Sequence, residues 1–565
     1  PRSTRLKIGK IPSIPWVVSP AIAVKRALLI ISVTNRHYPV RMHTSPARIL
    51  LLAFLLLAAT SCGLRNKHRR GQNNDTPQTE VTPGSSERYI PLDYNERGAM
   101  RAVWLTTIYG LDWPETAAAS ASRMKAQRES LCRILDRLAK DNFNTVFLQV
   151  RLRGDVLYPS NIEPFSSILT GTRRIRPNYD PLKFAIRECH KRGLSLHAWI
   201  VTLPLGTNKQ VRSLAPEGIR NQHPEWCVKH NGEWYLNPAI PAARTYIASL
   251  AAELASRYNI DGIHLDYIRY PENNARFPDD KQFRATGRSK SNKADWRTDN
   301  ISKLVKEVAD SARAHNPYIL MSAATLGRYR EIPGRKVSGW TCRGAVFQDP
   351  LAWFRQGSVD FIVPMMYHDG DLFYPFLNDW RALFGDYPVI PGLAAYRIAE
   401  KKSRWSVETI AQQMNAIEQT GCAGVAFYRE SNIRPFIKGM PELFEQHFPT
   451  PVRPLAFHKK SAPVPPQPTL LRPVLQGNEL HLRWTVSNAN SLRYNLFFNI
   501  YDAKGRPGPD ALLYPSLYSN ECVVPLYLFP KNATIHFRVE ATTPLGIVGR
   551  ASAPVLLNLR TLRNP

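Results

Sequence analysis

Between residues 97 and 448 short apolar runs alternate with stretches whose apolar positions recur every three or four residues. The runs are Arg101–Tyr109, Thr145–Val150, Ser195–Thr202, Gly262–Tyr267, Ile319–Ala324, Phe361–Met366, Val389–Leu393 and Gly424–Tyr428. Their length and β-branched content predict strands buried on both faces. Met124–Lys140 places Leu131, Ile134, Leu135 and Leu138 on one helical face, and Pro181–Arg192 and Ala242–Tyr258 read as further helices. Arg192-Gly193 closes one of them with a cation and a C-cap glycine. Strands alternating with helices predict parallel βαβ units, and eight such units close into a (β/α)8 TIM-type barrel of the α/β class. A doubly wound open sheet is the competing arrangement.

The pattern changes after residue 448. Residues 449–469 form a Pro-rich linker, stiffest at Pro463-Val464-Pro465-Pro466-Gln467-Pro468. Beyond it, Leu480–Trp484, Tyr494–Tyr501 and Thr534–Ala541 read as strands without helices between them, so residues 470–565 are expected to be a small all-β immunoglobulin-like sandwich. Its Trp484, the run Phe537-Arg538-Val539-Glu540-Ala541 and Gly546 resemble a fibronectin type III module, with Phe537 where a tyrosine is usual.

Ahead of the barrel, Met42-His43-Thr44-Ser45-Pro46-Ala47-Arg48 leads into an apolar run from Ile49 to Ala59 and then Thr60-Ser61-Cys62. The run is shorter than the roughly 20 residues of a spanning helix. A charged start, a short apolar stretch and small residues before a cysteine resemble a bacterial lipoprotein signal. The expectation is a signal peptide over 42–61, a lipidated Cys62, a polar tether over 62–96 and a non-native upstream extension or fragment over 1–41. The lipid would hold the protein to a membrane of the bacterial cell envelope.

The formal net charge is +30, of which residues 1–75, with 13 Lys and Arg and one Asp, carry +12. The remaining chain is still basic, yet no Lys/Arg run is interleaved with aromatics, which disfavours nucleic acid as the partner. An anionic cell-wall polymer or membrane fits an exported basic protein better. Seven cysteines are spread without a C-x-x-C, and apart from Cys62 they read as isolated thiols rather than zinc or redox ligands. No H-E-x-x-H, G-x-S-x-G or phosphate loop occurs, so zinc protease, serine hydrolase and nucleotide chemistry are disfavoured; no metal or cofactor is expected.

Candidate chemistry collects at the carboxyl ends of the expected strands, where barrel enzymes place their sites. In Asp261-Gly262-Ile263-His264-Leu265-Asp266-Tyr267-Ile268-Arg269-Tyr270-Pro271, alternation puts His264 and Asp266 on one face. Other ends carry Tyr109 to Pro114, Arg151, Arg153 and Asp155, His197 and Trp199, Tyr367 to Asp369, Tyr396-Arg397, and Tyr428 to Glu430. Aromatic faces for sugar rings, carboxylates for acid/base work and arginines for anionic groups describe a glycan cleft. Asp261 reads as a local cap or pair, and Asp112 and Asp180 as turn or helix-start residues. His197 and His264 suit lumen hydrogen bonds and substrate contact equally.

The ordered set Arg101-Ala102-Val103-Trp104-Leu105-Thr106-Thr107, Leu111-Asp112-Trp113-Pro114, Gln149-Val150-Arg151, Gly154 to Ser160, Tyr179-Asp180-Pro181-Leu182, Leu196-His197-Ala198-Trp199, Tyr235-Leu236-Asn237-Pro238 and the Asp261–Pro271 run resembles the glycosyl hydrolase-like family 10 barrel. The resemblance spans about residues 97–445. It implies a glycoside hydrolase of bacterial envelopes that cleaves a glycan, peptidoglycan strands stripped of peptides being the implied substrate.

Glycoside hydrolysis ordinarily needs two carboxyl groups. The resemblance makes Asp266 the principal one, because related barrel glycosidases use the fourth strand. Asp155 and Glu430 are candidates for the second, with Asp369, Glu233 and Glu225 behind them. The fifth strand offers no acid, and the chitinase pattern D-x-x-D-x-D-x-E fails where Ile268 takes the Glu position. A substrate N-acetyl group supplying its own nucleophile is the alternative. Trp113, Arg151, Arg153, His197, Trp199, His264, Arg269, Tyr367 and Tyr396 are the expected substrate contacts, with Trp226 and Trp234 as further sugar platforms. Two other functions remain open at this level: a glycosidase for external dietary or host polysaccharide, and a non-catalytic glycan-binding lipoprotein.

Overall fold

The computed structural model describes residues 98–563 apart from 288, 289, 291, 336, 338, 401–402, 458–462 and 489–490. The expected signal peptide, Cys62 and the tether lie outside the described residues.

Eight parallel strands close the barrel: β1 (Met100–Leu105), β2 (Thr145–Arg151), β3 (Ser195–Val201), then, after an insertion, β7 (Gly262–Asp266), β8 (Leu320–Leu326), β9 (Phe361–Met365), β10 (Gly392–Leu393) and β11 (Gly424–Phe427). Pairing of Met100 with Gly424 and of Ala102 with Thr145 joins last strand to first and first to second. The insertion after β3 contains β4 (Pro204–Thr207), β5 (Cys227–His230) and β6 (Glu233–Leu236), a small antiparallel sheet in the order β4-β6-β5. Each of the eight expected strands is present, with ends shifted by a few residues.

Helix boundaries follow local chemistry. Ala121–Lys140 starts where the Ser120 side chain accepts the Arg123 N–H. Pro181–His190 starts where Asp180 accepts the Lys183 N–H at 3.0 Å, so Asp180 is the helix start its Asp-Pro pair predicts.

Two apolar layers hold the barrel. Outward strand residues such as Val103, Val146, Leu196 and Ile263 pack on the helices. Inward residues Ala102, Trp104, Phe147, Trp199, Phe361, Val363 and Ala426 fill the lumen. Gly262 is required at the base of β7, because a Cβ there would lie 2.3 Å from His197 Nδ1.

Within the Pro-rich linker, residues 453–457 pack against both the barrel and the following strands. Leu455 and Phe457 are buried with the lumen residues and with Leu545. Phe457 N–H donates to the Leu545 carbonyl at 2.7 Å, and Ala99 N–H to the Arg453 carbonyl at 3.1 Å. Arg453 forks onto Glu540 at 2.6 and 2.8 Å. The segment therefore stops the amino-terminal end of the barrel with apolar side chains and ties it to the following strands.

Those strands form two antiparallel sheets. One contains β12 (Thr469–Leu470), β13 (Val474–Gln476), β14 (Glu479–Thr485) and β17 (Glu521–Pro525), the other β15 (Arg493–Ile500), β16 (Ala511–Leu517), β18 (Thr534–Thr542) and β19 (Val555–Asn558). Leu480, Leu482 and Trp484 alternate as buried residues on β14, and Tyr494, Leu496 and Phe498 on β15. Trp484 lies edge-on to Tyr494, with 5.3 Å between ring centroids.

Asp261 corrects an expectation. It is buried at the start of β7 and reaches the all-β module rather than a local partner. It accepts hydrogen bonds from Arg493 Nη2 at 2.5 Å, Tyr518 Oη at 2.9 Å and Leu196 N–H at 2.6 Å, and contacts His190 Nε2 at 3.0 Å. Arg493 and the histidine hold its carboxyl well below the usual carboxylate range despite burial.

Candidate active site at the barrel mouth

The last residue of β7, Asp266, sits at the carboxyl end of the barrel and is 6% exposed. Its Oδ2 accepts the indole N–H of Trp199 at 3.1 Å, and its Oδ1 accepts the Tyr267 backbone N–H at 2.7 Å. Burial raises its pKa; Arg269, the Tyr267 N–H and Trp199 pull it down, and Glu272 pushes it up again. The net shift is upward, the direction a proton donor needs.

Below Asp266 the lumen is hydrogen-bonded and buried. Trp104 Nε1 donates to His264 Nε2 at 3.1 Å, and His264 Nδ1 meets Ser322 Oγ at 2.9 Å. Phe147 stacks on the His264 ring at 4.3 Å. Burial lowers His264 well below its ordinary value and His197 to about 4. Both are neutral lumen residues beneath the site.

A tyrosine wall stands above. Tyr367, Tyr396 and Tyr428 lie 5.6–6.0 Å apart by ring centroid. Tyr367 Oη is buried without a hydrogen-bond partner, and burial next to Tyr428 and Asp266 raises its pKa well above 10. Burial and the Asp266 charge push Tyr428 up to about 12. Arg269 lies with its guanidinium 4.7 Å from the Tyr267 ring centroid and gives Nη2 to Glu272 at 3.1 Å. Its Nε and Nη1 are buried and unpartnered. Buried donors without partners are costly, so an acceptor supplied by a ligand would be well received there.

The other expected contacts separate into two groups. Arg153 is beside the mouth, paired with Glu233 at 2.7 Å. Arg151, by contrast, is a buried structural residue. It forks onto Glu163 at 2.8 and 2.6 Å and also donates to the carbonyls of Val201 and Thr202. Trp113 is fully buried in the outer core, with its N–H on the Gln127 carbonyl at 3.0 Å, so it offers no sugar platform. Trp226 is covered by His223 stacked at 3.7 Å, and one face of Trp234 carries Arg220 at 4.0 Å.

Both candidate second carboxylates are held by other partners. Glu430 is buried and held by Arg137 and by Arg434 at 2.8 Å. Asp155 accepts the Arg153 N–H at 3.2 Å within its own turn. Asp112, expected in a simple turn, clamps the loops after β1 and β11, accepting from Thr106 N–H, Arg429 Nη1 and Ser431 N–H at 2.6–3.0 Å. The sequence pattern places Tyr428 among the strand-end residues without a role of its own and does not single out Glu272. Tyr428 directly follows β11, and Glu272 directly follows Pro271, so each was within reach of the strand-end rule. Among the described residues no cluster of His, Cys, Asp and Glu could hold a metal ion.

The family model described as glycosyl hydrolase-like 10 matches residues 99–374. Glycosyl hydrolase DigH of Escherichia coli strain K12 is 31% identical over 341 residues, 57% of this chain and 74% of that protein. Glycosyl hydrolase YngK of Bacillus subtilis is 29% identical over 428 residues, 72% of this chain and 83% of that protein. Among solved structures, the PgaB glycoside hydrolase domain of Bordetella bronchiseptica aligns with a TM-score of 0.44 at 13% identity, over 61% of this chain and 99% of that one.

Proposed function

Because the chain belongs to the glycosyl hydrolase-like 10 family, we propose that this glycoside hydrolase cleaves peptidoglycan glycan strands with Asp266 as its general acid. The observation that carries the reading is the environment of Asp266: a desolvated carboxyl of raised pKa, at the barrel mouth, under a wall of tyrosines.

Asp266 protonates the departing glycosidic oxygen while the C1–O bond breaks. Trp199 and the Tyr267 N–H fix the carboxyl, and Glu272 both answers the charge of Arg269 and favours the protonated acid. Commitment of Asp155 and Glu430 to other partners, and pairing of Glu233 with Arg153 and of Glu272 with Arg269, favours the sugar's own 2-acetamido oxygen as the nucleophile at C1, with water then opening the cyclic intermediate. The unpartnered donors of Arg269 and Tyr367 suit such an acetamido or lactyl oxygen.

The basic charge of the chain supports an anionic wall polymer as substrate. The Cys62 pattern supports a lipid-anchored protein of the cell envelope, and two antiparallel sheets with a buried Trp484 support a fibronectin type III kind of module.

The test is release of reducing ends from denuded and from peptide-bearing glycan strands. Denuded strands are expected to be cut, and a cyclic thiazoline analogue of N-acetylglucosamine to inhibit. Intact strands in both cases, with cleavage of a plant or host polysaccharide instead, would move the substrate outside the envelope.

A further inference from the structure

Two tyrosines at the mouth hold a backbone conformation that bulky side chains rarely adopt. Tyr109, after β1, has φ 58°, and Tyr267, directly after Asp266, has φ 50°. Left-handed backbone at a bulky residue is a true outlier, and such outliers gather where function over-determines them. Glycine would satisfy either position without strain.

Both residues are also exposed, Tyr109 at 69% and Tyr267 at 40%. Single exposed aromatics are ordinary, but aromatics held at the mouth of a cleft suit the apolar face of a ligand. Each ring is held in place. Gln210, from the insertion after β3, gives Nε2–H to Tyr109 Oη at 3.2 Å. Arg269 lies against the Tyr267 ring. Arg153 and Gln210 both lie against Gly206, Arg153 is paired to Glu233 on β6, and Tyr109 and Tyr267 both raise the Arg153 pKa. The Arg153 and Glu233 side chains keep 23% and 32% of their surfaces exposed. Aromatic faces edged by a partly exposed guanidinium and carboxylate are the chemistry that recognises a pyranose ring: its C–H face lies on the aromatic, and its hydroxyls reach the polar groups.

We propose that Tyr109 and Tyr267, with Arg153 and Glu233 at their edge, form a sugar-binding subsite that takes the pyranose residue next to the bond cleaved at Asp266. The location follows from the chain itself, since Tyr267 gives its backbone N–H to the Asp266 carboxylate at 2.7 Å. The subsite rests on the glycosidase class of the protein and is independent of whether the strand cut is peptidoglycan.

Glycine substitution separates recognition from structure. In an Asp266→Asn background of the whole protein, Tyr109→Gly and Tyr267→Gly remove the rings and relieve the backbone. Affinity is measured calorimetrically for a β-1,4-linked N-acetylglucosamine pentamer and for a denuded peptidoglycan oligomer. Each Gly variant is expected to bind about tenfold more weakly, the scale of one lost aromatic contact. Its melting temperature should be equal or higher, and Tyr109→Phe and Tyr267→Phe should hold the parent affinity. Tyrosine-dependent binding of the neutral pentamer alone supports the subsite and counts against peptidoglycan as substrate. Gly variants that bind like the parent, a melting temperature that falls in step with affinity, or a parent that binds neither oligomer would overturn the proposal.

Discussion

Trp199, inside β3, and Asp266, the last residue of the neighbouring β7, are joined by an indole N–H to carboxylate hydrogen bond of 3.1 Å. That bond stabilises the charged form of an acid whose burial favours the neutral one. Trp199→Phe removes the donor and keeps most of the volume. Activity that depends on protonated Asp266 falls as pH rises through its pKa, and losing the donor raises that pKa further. The alkaline limb of kcat against pH should move up by about one unit, since a hydrogen bond to a charged group is worth about 1.5–3 kcal/mol and one unit about 1.4. A pH–rate profile of the variant checks the direction.

Glu272 predicts the opposite displacement. Its charge raises the Asp266 pKa, and Arg269 is its ion-pair partner at 3.1 Å. Glu272→Gln leaves Arg269 uncompensated, so Asp266 ionises more easily and the alkaline limb should move to lower pH. The same profile, measured beside that of Trp199→Phe, should show the two limbs on either side of the wild-type curve.

The buried Asp261–Arg493 pair, held at 2.5 Å, ties the all-β module to the base of the strand that carries Asp266. Removing one member strands the other charge in a dry site, so Arg493→Met should cost about 3–5 kcal/mol in unfolding free energy. The Asp261 pKa is depressed in the folded protein. Its contribution is therefore complete above the unfolded carboxylate pKa of about 4 and lost as pH falls below that toward the folded value. Calorimetric melts from pH 7 to 3 should show wild type losing stability on the acid side more steeply than Arg493→Met.

Arg151 and Glu163 form a fully buried forked pair, with Arg151 also held by the Val201 and Thr202 carbonyls of the strand beside Asp266. Arg151→Met should destabilise by about 3–5 kcal/mol, and adding Glu163→Gln should recover part of that by removing the stranded charge. KM of the folded enzyme should stay within about twofold of wild type, since a structural role changes stability and not recognition. Urea unfolding and steady-state kinetics on both variants separate the two roles.

Strand-end chemistry was readable because alternation and apolar length place Asp266, Trp199 and Tyr367 without knowledge of their neighbours. Pairing between distant segments was not. Nothing near Asp261 announces that Arg493, more than two hundred residues later, will share its burial, and the proline content of 449–469 hides the buried Leu455 and Phe457. Arg151 and Glu430 look like site residues because they occupy strand ends, and only Glu163, Arg137 and Arg434 reveal them as structural. Trp113 looks loop-borne, and its burial follows from a turn that folds back on the helix Ala121–Lys140. The strained backbone of Tyr109 and Tyr267 leaves no mark in composition or periodicity.

Asp266→Asn tests the general-acid assignment most directly when the leaving group is varied. A natural glycosidic oxygen needs the proton, whereas a nitrophenolate leaves without one. The account predicts that Asp266→Asn loses on the order of a thousandfold in kcat on glycan strands. It should keep substrate binding and lose no more than about tenfold on a nitrophenyl glycoside, the scale expected when proton donation is no longer limiting. Equal losses on both substrates, or retained cleavage of glycan strands, would contradict it.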